Sequence, residues 1–408
     1  VPVADEIRSF YERMPYPPPF ASLEEHRALY RDPDRRRAQF HLMWPAETLR
    51  DSQQILIAGC GTSQAARYAL REPGSRVTAI DISEMSLRHT RELKQKYKLE
   101  NLELHQLAIE NVRELGKTFD QIVCTGVLHH LADPDLGLSA LRSVLQPQGA
   151  MQLMVYAPYG RAGIYMMQEY CRLLGIGASG EELLGLANVL AALPDDHPLA
   201  NIMRGTKDFR HPEALADVLL HPRDRAYSVP QLYAWLGRCG MAFARWANQA
   251  PYLPQCGVIS RTQHAHRLAG LPEPVQHAAA ELFRGTMVRH SFIAYRDDRV
   301  GANQPISFDD RSNGYVPITV PWTVRVRERL PPGSVAVLIN RTHPFTDLVL
   351  PVDAFENELL AGIDGRKSIV QILTGAKVEG MAHRRRALEF FKKLWEYDQV
   401  VFDASRPG

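Results

Sequence analysis

The sequence predicts an α/β fold built on a doubly wound sheet, interrupted by a helical insertion and followed by a smaller α+β tail. Three observations predict it. Short, almost wholly apolar runs alternate with helical segments from Gln53 onward, the first of these runs ends in a glycine turn, and the strand rhythm stops between Gly160 and about Asp224 before resuming. A strand that is apolar throughout is covered on both faces, as helices on either side of a parallel sheet provide.

Residues 1–45 read as an arm or lid, helical in periodicity and broken by Pro15-Tyr16-Pro17-Pro18-Pro19. Successive prolines fix φ and remove backbone donors, so this stretch is expected to be an extended hinge. Gln54–Ala58 is the first strand and Ala65–Leu70 its helix; Arg76–Ile80 is the second strand, closing at Asp81, with a helix over Ser86–Tyr97. Leu102–His105, Gln121–Cys124 and Ala150–Val155 complete a five-strand series with right-handed crossovers. Met166–Leu174, Glu181–Leu193 and Glu213–Leu220 are helical and make the insertion, about 160–225, a substrate cap. Strands return at Met241–Trp246 and His290–Tyr295, with a helix at Glu273–Phe283 between them. The polar, turn-rich stretch 297–305 sets a boundary, giving a sheet domain over 46–298 and a tail over 299–408. In the tail, Ser334–Asn340 and Val400–Phe402 read as strands, and Ala354–Ile363, Ser368–Leu373 and Arg384–Tyr397 as helices.

The chain's 408 residues fit two to four domains at about 100–200 residues each. With 45% hydrophobic and 23% charged residues, it is neither collagen-like nor disordered. Lys plus Arg is 48 against 46 Asp plus Glu, so a formal charge of +2 gives no chain-wide attraction to nucleic acid or anionic lipid. Apolar runs such as Ile55–Ala58 and Met151–Tyr156 fall far short of the roughly 20 residues that span a bilayer. Val1-Pro2-Val3-Ala4-Asp5-Glu6 carries no basic and apolar export pattern, and the five cysteines are scattered and never paired as CxxC. The expectation is a reducing, cytoplasmic setting with no disulfide framework, no metal and no membrane.

Gly59-Cys60-Gly61-Thr62 follows the first strand directly. Two glycines there let the backbone approach a ligand at the carboxyl edge of the sheet, where open α/β folds bind. A dinucleotide loop needs a glycine at position 64, where Gln64 stands, and no GK[ST] follows, so the loop points to a cofactor without phosphate. Asp81 lies 81 − 61 = 20 residues beyond Gly61 and ends the second strand, placed to accept both hydroxyls of a ribose. Thr125-Gly126-Val127-Leu128-His129-His130-Leu131 follows the fourth strand, with room for a ligand at Gly126.

Together with Phe119–Leu131 and the LxPxG turn at Leu145–Gly149, these residues resemble the class I S-adenosylmethionine-dependent methyltransferases over about Gln53–Tyr156. The resemblance implies a seven-stranded Rossmann-like sheet and S-adenosylmethionine as cofactor, with S-adenosylhomocysteine as product. It implies that Gly59, Cys60 and Gly61 pack against the methionine portion and ribose, Asp81 holds the ribose hydroxyls and Ile82 touches adenine; Thr125 and Gly126 join that set. Leu107-Ala108 stands where many members have Asp-Ala, so the adenine contact passes to Glu110 or to backbone around Ala108 and Ile109.

An activated methyl group mainly needs an aligned nucleophile and a dry pocket, with a base for a neutral oxygen or nitrogen acceptor. His129 and His130 are the candidate bases by position, and packing or turn-capping is the alternative for each. Substrate contacts are expected from arm and insertion: Tyr11, Arg13 and Tyr16 in the arm, with the two phenols also as catalytic candidates; Tyr159 and Arg161 after the fifth strand, Arg161 as a fork for a carboxylate; and His221, Arg223 and Tyr227 in a polar run. Tying loops down is the alternative for these. Cys60 reads as a small buried cysteine.

The tail's helix, Asp364-Gly365 turn, short helix, longer helix and final strand follow the order of a winged-helix module, and Glu358–Leu373 resembles PqqD-like peptide-binding modules. Arg384, Arg385, Arg386, Lys392 and Lys393 make the third helix basic, with Leu388, Phe391, Leu394 and Trp395 apolar. A structural or dimer-forming role is expected ahead of peptide docking, and both ahead of nucleic acid. The expected activity is methyl transfer to O, N or S of a small molecule, with a peptide or protein acceptor and a non-catalytic cofactor-binding regulator as alternatives.

Overall fold

The computed structural model describes residues 3–13, 17–205, 209, 211–299 and 306–406. The chain forms two compact units: 1–27 with 51–242 and 285–297, and 28–50 with 243–284 and 298–408.

The first unit is organised by a seven-stranded sheet. Its strands are β1 (Gln54–Ala58), β2 (Arg76–Asp81), β3 (Leu102–Gln106), β4 (Phe119–Thr125), β5 (Leu145–Tyr156), β6 (Met241–Trp246) and β7 (Arg289–Arg296), in the order β3-β2-β1-β4-β5-β7-β6. The pairs from β3 to β5 are parallel and β7 runs antiparallel to β5, as Met151 opposite Ala294 shows. The division between the units falls inside β6, after Ala242. Ile55, Leu56, Ile57 and Ala58 are fully buried, as an all-apolar central strand requires.

Flanking helices start at side-chain caps. Ser83 accepts from the Ser86 N–H to open Glu84–Tyr97, and Asp133 accepts from Asp135 and Leu136 to open Pro134–Val144, with Pro134 at its first position. β1, β2, β4 and the helix Gln64–Arg71 share one core through Ile55, Ile57, Val77, Ala79, Val123, Ala65 and Ala69.

The insertion is helical, as expected. Ala162–Leu174, Gly180–Ala191, Pro198–Gly205 and Pro212–Leu219 pack through Ile164, Met167, Leu183, Leu186, Leu199, Leu215 and Leu219, and Phe10 of the helix Val3–Arg13 joins that core. The arm is therefore docked on the cap. Pro15 and Tyr16 of the expected hinge lie outside the described residues.

The second unit contains β8 (Val316–Thr319), β9 (Thr323–Val326), β10 (Ala336–Asn340), β11 (Val349–Val352) and β12 (Val400–Asp403), arranged as a three-stranded sheet β11-β10-β9 and a pair β12-β8. Helices Ala354–Ala361, Ile369–Gly375 and Met381–Glu396 appear in the order expected. The unit is nonetheless larger than the winged-helix-like tail read from 299 onward. Ala38 of the helix Pro33–Met43 packs with Ile318 and Val401, and Arg37 donates to the Gly365 carbonyl at 2.7 Å. Residues 28–50 and 243–284 thus belong with the tail, and the boundary at 298/299 is only one of several crossings. In Met381–Glu396, Ala387, Phe390, Phe391 and Leu394 are buried, while Arg385, Arg386 and Lys392 pair with Glu389, Asp353 and Glu396. Among the described residues no helix is long and apolar enough to cross a membrane.

Candidate functional site

The site lies wholly in the first unit and begins where β1 ends. Gly59 and Gly61 adopt φ of +69° and +54°, and a Cβ on Gly59 would sit 2.4 Å from Val127 Cγ2. Only glycine lets the turn pass this close to the segment after β4. The Gly59 and Cys60 N–H groups both donate to the Ile80 carbonyl, at 2.9 and 3.1 Å. The Gly61 N–H instead donates to Asp81 Oδ2 at 2.8 Å, and the Ser83 N–H donates to Asp81 Oδ1 at 2.9 Å.

Asp81 is thereby aimed, with the Ile82 N–H adding to the pull of these two donors. A carboxylate offers about four lone-pair sites, so acceptor capacity remains. Burial pushes its pKa up, against the pull of its backbone donors, and nearby Glu12 adds to the rise. A neutral diol suits such an acceptor, because it supplies two hydrogen bonds and no charge. The glycine turn, Asp81 and Gly126 (φ +80°) therefore fit an adenosyl cofactor: close backbone on one side and a ribose acceptor on the other.

Other expected cofactor residues fall around this cradle. Thr125 Oγ1 accepts from Gln64 Nε2 at 2.8 Å, so Gln64, which replaces the third glycine of a dinucleotide loop, ties the turn to β4. Ile82 is half-buried, and its carbonyl accepts from Gln106 Nε2 at 3.1 Å. Ala108 opens the short helix Ile109–Leu115, whose first side chain is buried. Cys60 is buried and burial pushes its thiol pKa well up, as befits an inert core cysteine.

The arm bridges this cradle to a second cluster. Glu12 accepts from the Glu84 and Met85 N–H groups at 2.7 and 3.3 Å, satisfying orphan donors at the start of Glu84–Tyr97. One residue earlier, the Tyr11 hydroxyl donates to Asp217 Oδ1 at 2.9 Å. Burial and then Asp217 push the Tyr11 pKa up, with a smaller contribution from Asp81, so the phenol keeps its proton. Asp217 sits on the helix Pro212–Leu219 and is 2% exposed.

Around this pair lie three buried histidines. His129 packs on Tyr156 with ring centroids 3.9 Å apart, His130 lies 4.2 Å from His129, and His221 lies 3.9 Å from His130 and 5.6 Å from Tyr11. Both nitrogens of His129 and the Nε2 atoms of His130 and His221 are buried without a hydrogen-bond partner. Burial disfavours the charged ring in each. His129 is held well below 6.5, His130 is lowered to about 4 and His221 to about 3.

These rings set an acid limit. A ring whose folded pKa lies below its unfolded value of 6.5 stabilises the fold fully above pH 6.5, and that contribution is lost as pH falls toward 4, because the unfolded chain then binds more protons. Arg161 opposes protonation of His130 further, and Asp224 partly favours protonation of His221. For His130, lowered from 6.5 to about 4, that contribution is on the order of 3 kcal/mol. Urea midpoints are expected to drop between pH 6.5 and 4, with a shallower drop in His221→Gln; equal slopes would remove His221 from this account.

Several expected substrate residues are committed to structural contacts or exposed. Arg161 is buried, paired with Asp224 and stacked over Tyr156 at 3.5 Å, with its Nε donating to Tyr165. Its guanidinium holds the loop after β5 rather than awaiting a carboxylate. Tyr159 is 44% exposed, and Arg13 is exposed and donates to the Ser9 carbonyl within its own helix. Tyr227 is buried and stacks on Trp235 at 4.8 Å, and burial pushes its pKa up to about 12. Arg223 contributes its main chain, which touches both His130 and His221. Asp217, Glu12 and Gln64 are the residues sequence reasoning missed. An acid on the buried face of an otherwise apolar helix was the available signal for Asp217.

Residues 56–151 match the family model described as "Methyltransferase domain". A 208-residue stretch is 36% identical to an uncharacterized protein of Synechococcus sp., covering 49% of this chain and 50% of that protein, so the match spans about half of each. The fold resembles PKMT2 from Rickettsia typhi, with a TM-score of 0.64 at 16% identity over 95% of this chain and 76% of that one. A structure of the same protein in complex with AdoHcy gives a TM-score of 0.61 over 92% and 76%. The glycine turn, Asp81 and strands β2 to β4 of the sheet lie within this matched stretch, so the first unit carries a region similar to a methyltransferase domain, with a cradle that fits S-adenosylmethionine.

Proposed function

We propose that this protein transfers a methyl group to O, N or S of a small molecule seated between the cofactor cradle and the buried cluster of Tyr11, His129, His130, Asp217 and His221. When bound, S-adenosylmethionine supplies an activated methyl group; Gly59, Gly61, Asp81 and Gly126 would hold it. The observation carrying this reading is the bridge made by one helix, in which Glu12 caps the helix that follows Asp81 while Tyr11 reaches Asp217 and His221. Arm and insertion share a core through Phe10, which supports a closed, dry compartment.

Within it, neutral His129 or His130 is suited to take a proton, and the protonated Tyr11 phenol to orient Asp217. The paired cations of Met381–Glu396 support a solvated, structural role for the second unit rather than a nucleic-acid surface. The test is incubation of the full chain with methyl-labelled S-adenosylmethionine and fractionated cell extract. Label is expected in the small-molecule fraction. Label confined to peptide or protein would move the acceptor class, and cofactor binding with no labelled product would leave a non-catalytic binder.

A further inference from the structure

The main chain of Arg223 touches two buried rings in opposite senses. Its carbonyl lies 2.6 Å from His130 Nδ1, and its N–H donates to His221 Nδ1 at 3.0 Å. A carbonyl only accepts, so His130 carries its proton on Nδ1 and offers a lone pair at Nε2. An N–H only donates, so the neutral His221 ring carries its proton on Nε2. Both Nε2 atoms are buried and unpartnered, on rings whose centroids are 3.9 Å apart. One residue's backbone thus sets an acceptor and a donor side by side.

We infer that this pair reads a hydroxyl on the methyl acceptor, a group that donates to His130 Nε2 and accepts from His221 Nε2–H. The inference rests on the proposed methyl-transfer reading and narrows its acceptor. An ammonium has no lone pair for His221, and a carboxylate has no proton for His130. A neutral amine has one lone pair, which a bond from His221 would occupy. A hydroxyl oxygen has two, so one remains for the methyl carbon. In the transfer, the acceptor O–H bond breaks and its proton passes to His130 Nε2. An oxygen lone pair forms the O–CH3 bond, and the S–CH3 pair stays on sulfur, so the sulfonium charge ends on the imidazolium. The Nδ1–H bond to the Arg223 carbonyl holds that ring throughout.

The same residues bear on a metal. Ligand atoms of His130, Asp217 and His221 lie within 4.8 Å of one another. A cation needs a lone pair from both rings, yet His221 Nε2 is protonated and its Nδ1 accepts from Arg223. The tautomers favour a hydroxyl over a divalent ion.

Long-range proton–nitrogen correlation spectra of the histidine-labelled full chain at pH 7.5, assigned with His130→Gln and His221→Gln, test this without turnover. The expected result is the Nδ1–H form for His130 and the Nε2–H form for His221. The same tautomer in both rings, or a protonated ring, overturns the inference, as does tight one-to-one zinc binding that His130→Gln abolishes. With S-adenosylmethionine carrying a carbon-13 methyl, product label in an ether position supports it; an N-methyl, S-methyl or base-labile ester position overturns it. Calorimetry with S-adenosylhomocysteine separates the two levels. Absent binding defeats the methyltransferase reading, whereas intact binding with the wrong tautomers defeats this inference alone.

Discussion

Replacing Asp81 by alanine is expected to weaken S-adenosylmethionine binding by at least tenfold in calorimetry. A hydrogen bond to a charged group contributes about 1.5–3 kcal/mol, and 1.4 kcal/mol is tenfold in affinity, so losing two such bonds to a ribose would cost about a hundredfold or more. The same change strands the Gly61 and Ser83 N–H groups, which now donate to the two carboxylate oxygens. Asp81→Asn keeps one acceptor oxygen and should therefore melt above Asp81→Ala while still binding poorly. An unchanged dissociation constant in both variants would take the ribose away from Asp81.

Gly59→Ala is the second large effect. A β-carbon there would lie 2.4 Å from Val127 Cγ2 on a backbone with φ of +69°. The left-handed conformation costs about 1–2 kcal/mol and the overpacking about 1–3 kcal/mol, so a loss of about 2–5 kcal/mol is expected in urea unfolding. Adding Val127→Ala removes the two γ carbons and leaves the residue-127 Cβ at 3.1 Å together with the backbone cost, so the double variant should recover part of the loss. Gly160 differs, because its added carbon would meet the Met287 backbone oxygen at 2.3 Å and no side-chain change can relieve it. No recovery in the Gly59/Val127 pair would show that the turn is held by something other than that contact.

The first unit was legible because its central strands are apolar on both faces and each ends in a residue with its own signature. β1 to β4 and the glycine turn lie where the runs Ile55–Ala58 and Arg76–Asp81 put them. The second unit was harder to read. β8 and β11 contain Pro317 and Pro351, and β9 alternates valine with Thr323 and Arg325 over only four half-buried residues, too short a run to mark a strand. At the site, Asp81 and the two histidines after β4 stand at fixed offsets from strands. Asp217 and the Arg223 backbone come from the insertion, where no strand register fixes position, and what a main-chain carbonyl does for an imidazole 93 residues away has no sequence signature. Arg161 shows the converse error: a guanidinium at the right edge, already neutralised by Asp224.

The second unit is drawn from three separate stretches of chain, 28–50, 243–284 and 298–408. The unit cannot be exchanged intact by one crossover at a linker, because a cut at 298 leaves the helix Pro33–Met43 without Ile318 and Val401. Loss of turnover after such a cut would report a broken scaffold and say nothing of substrate delivery. Point changes on exposed positions of Met381–Glu396, such as Arg385→Glu, are the cleaner way to ask what that surface meets.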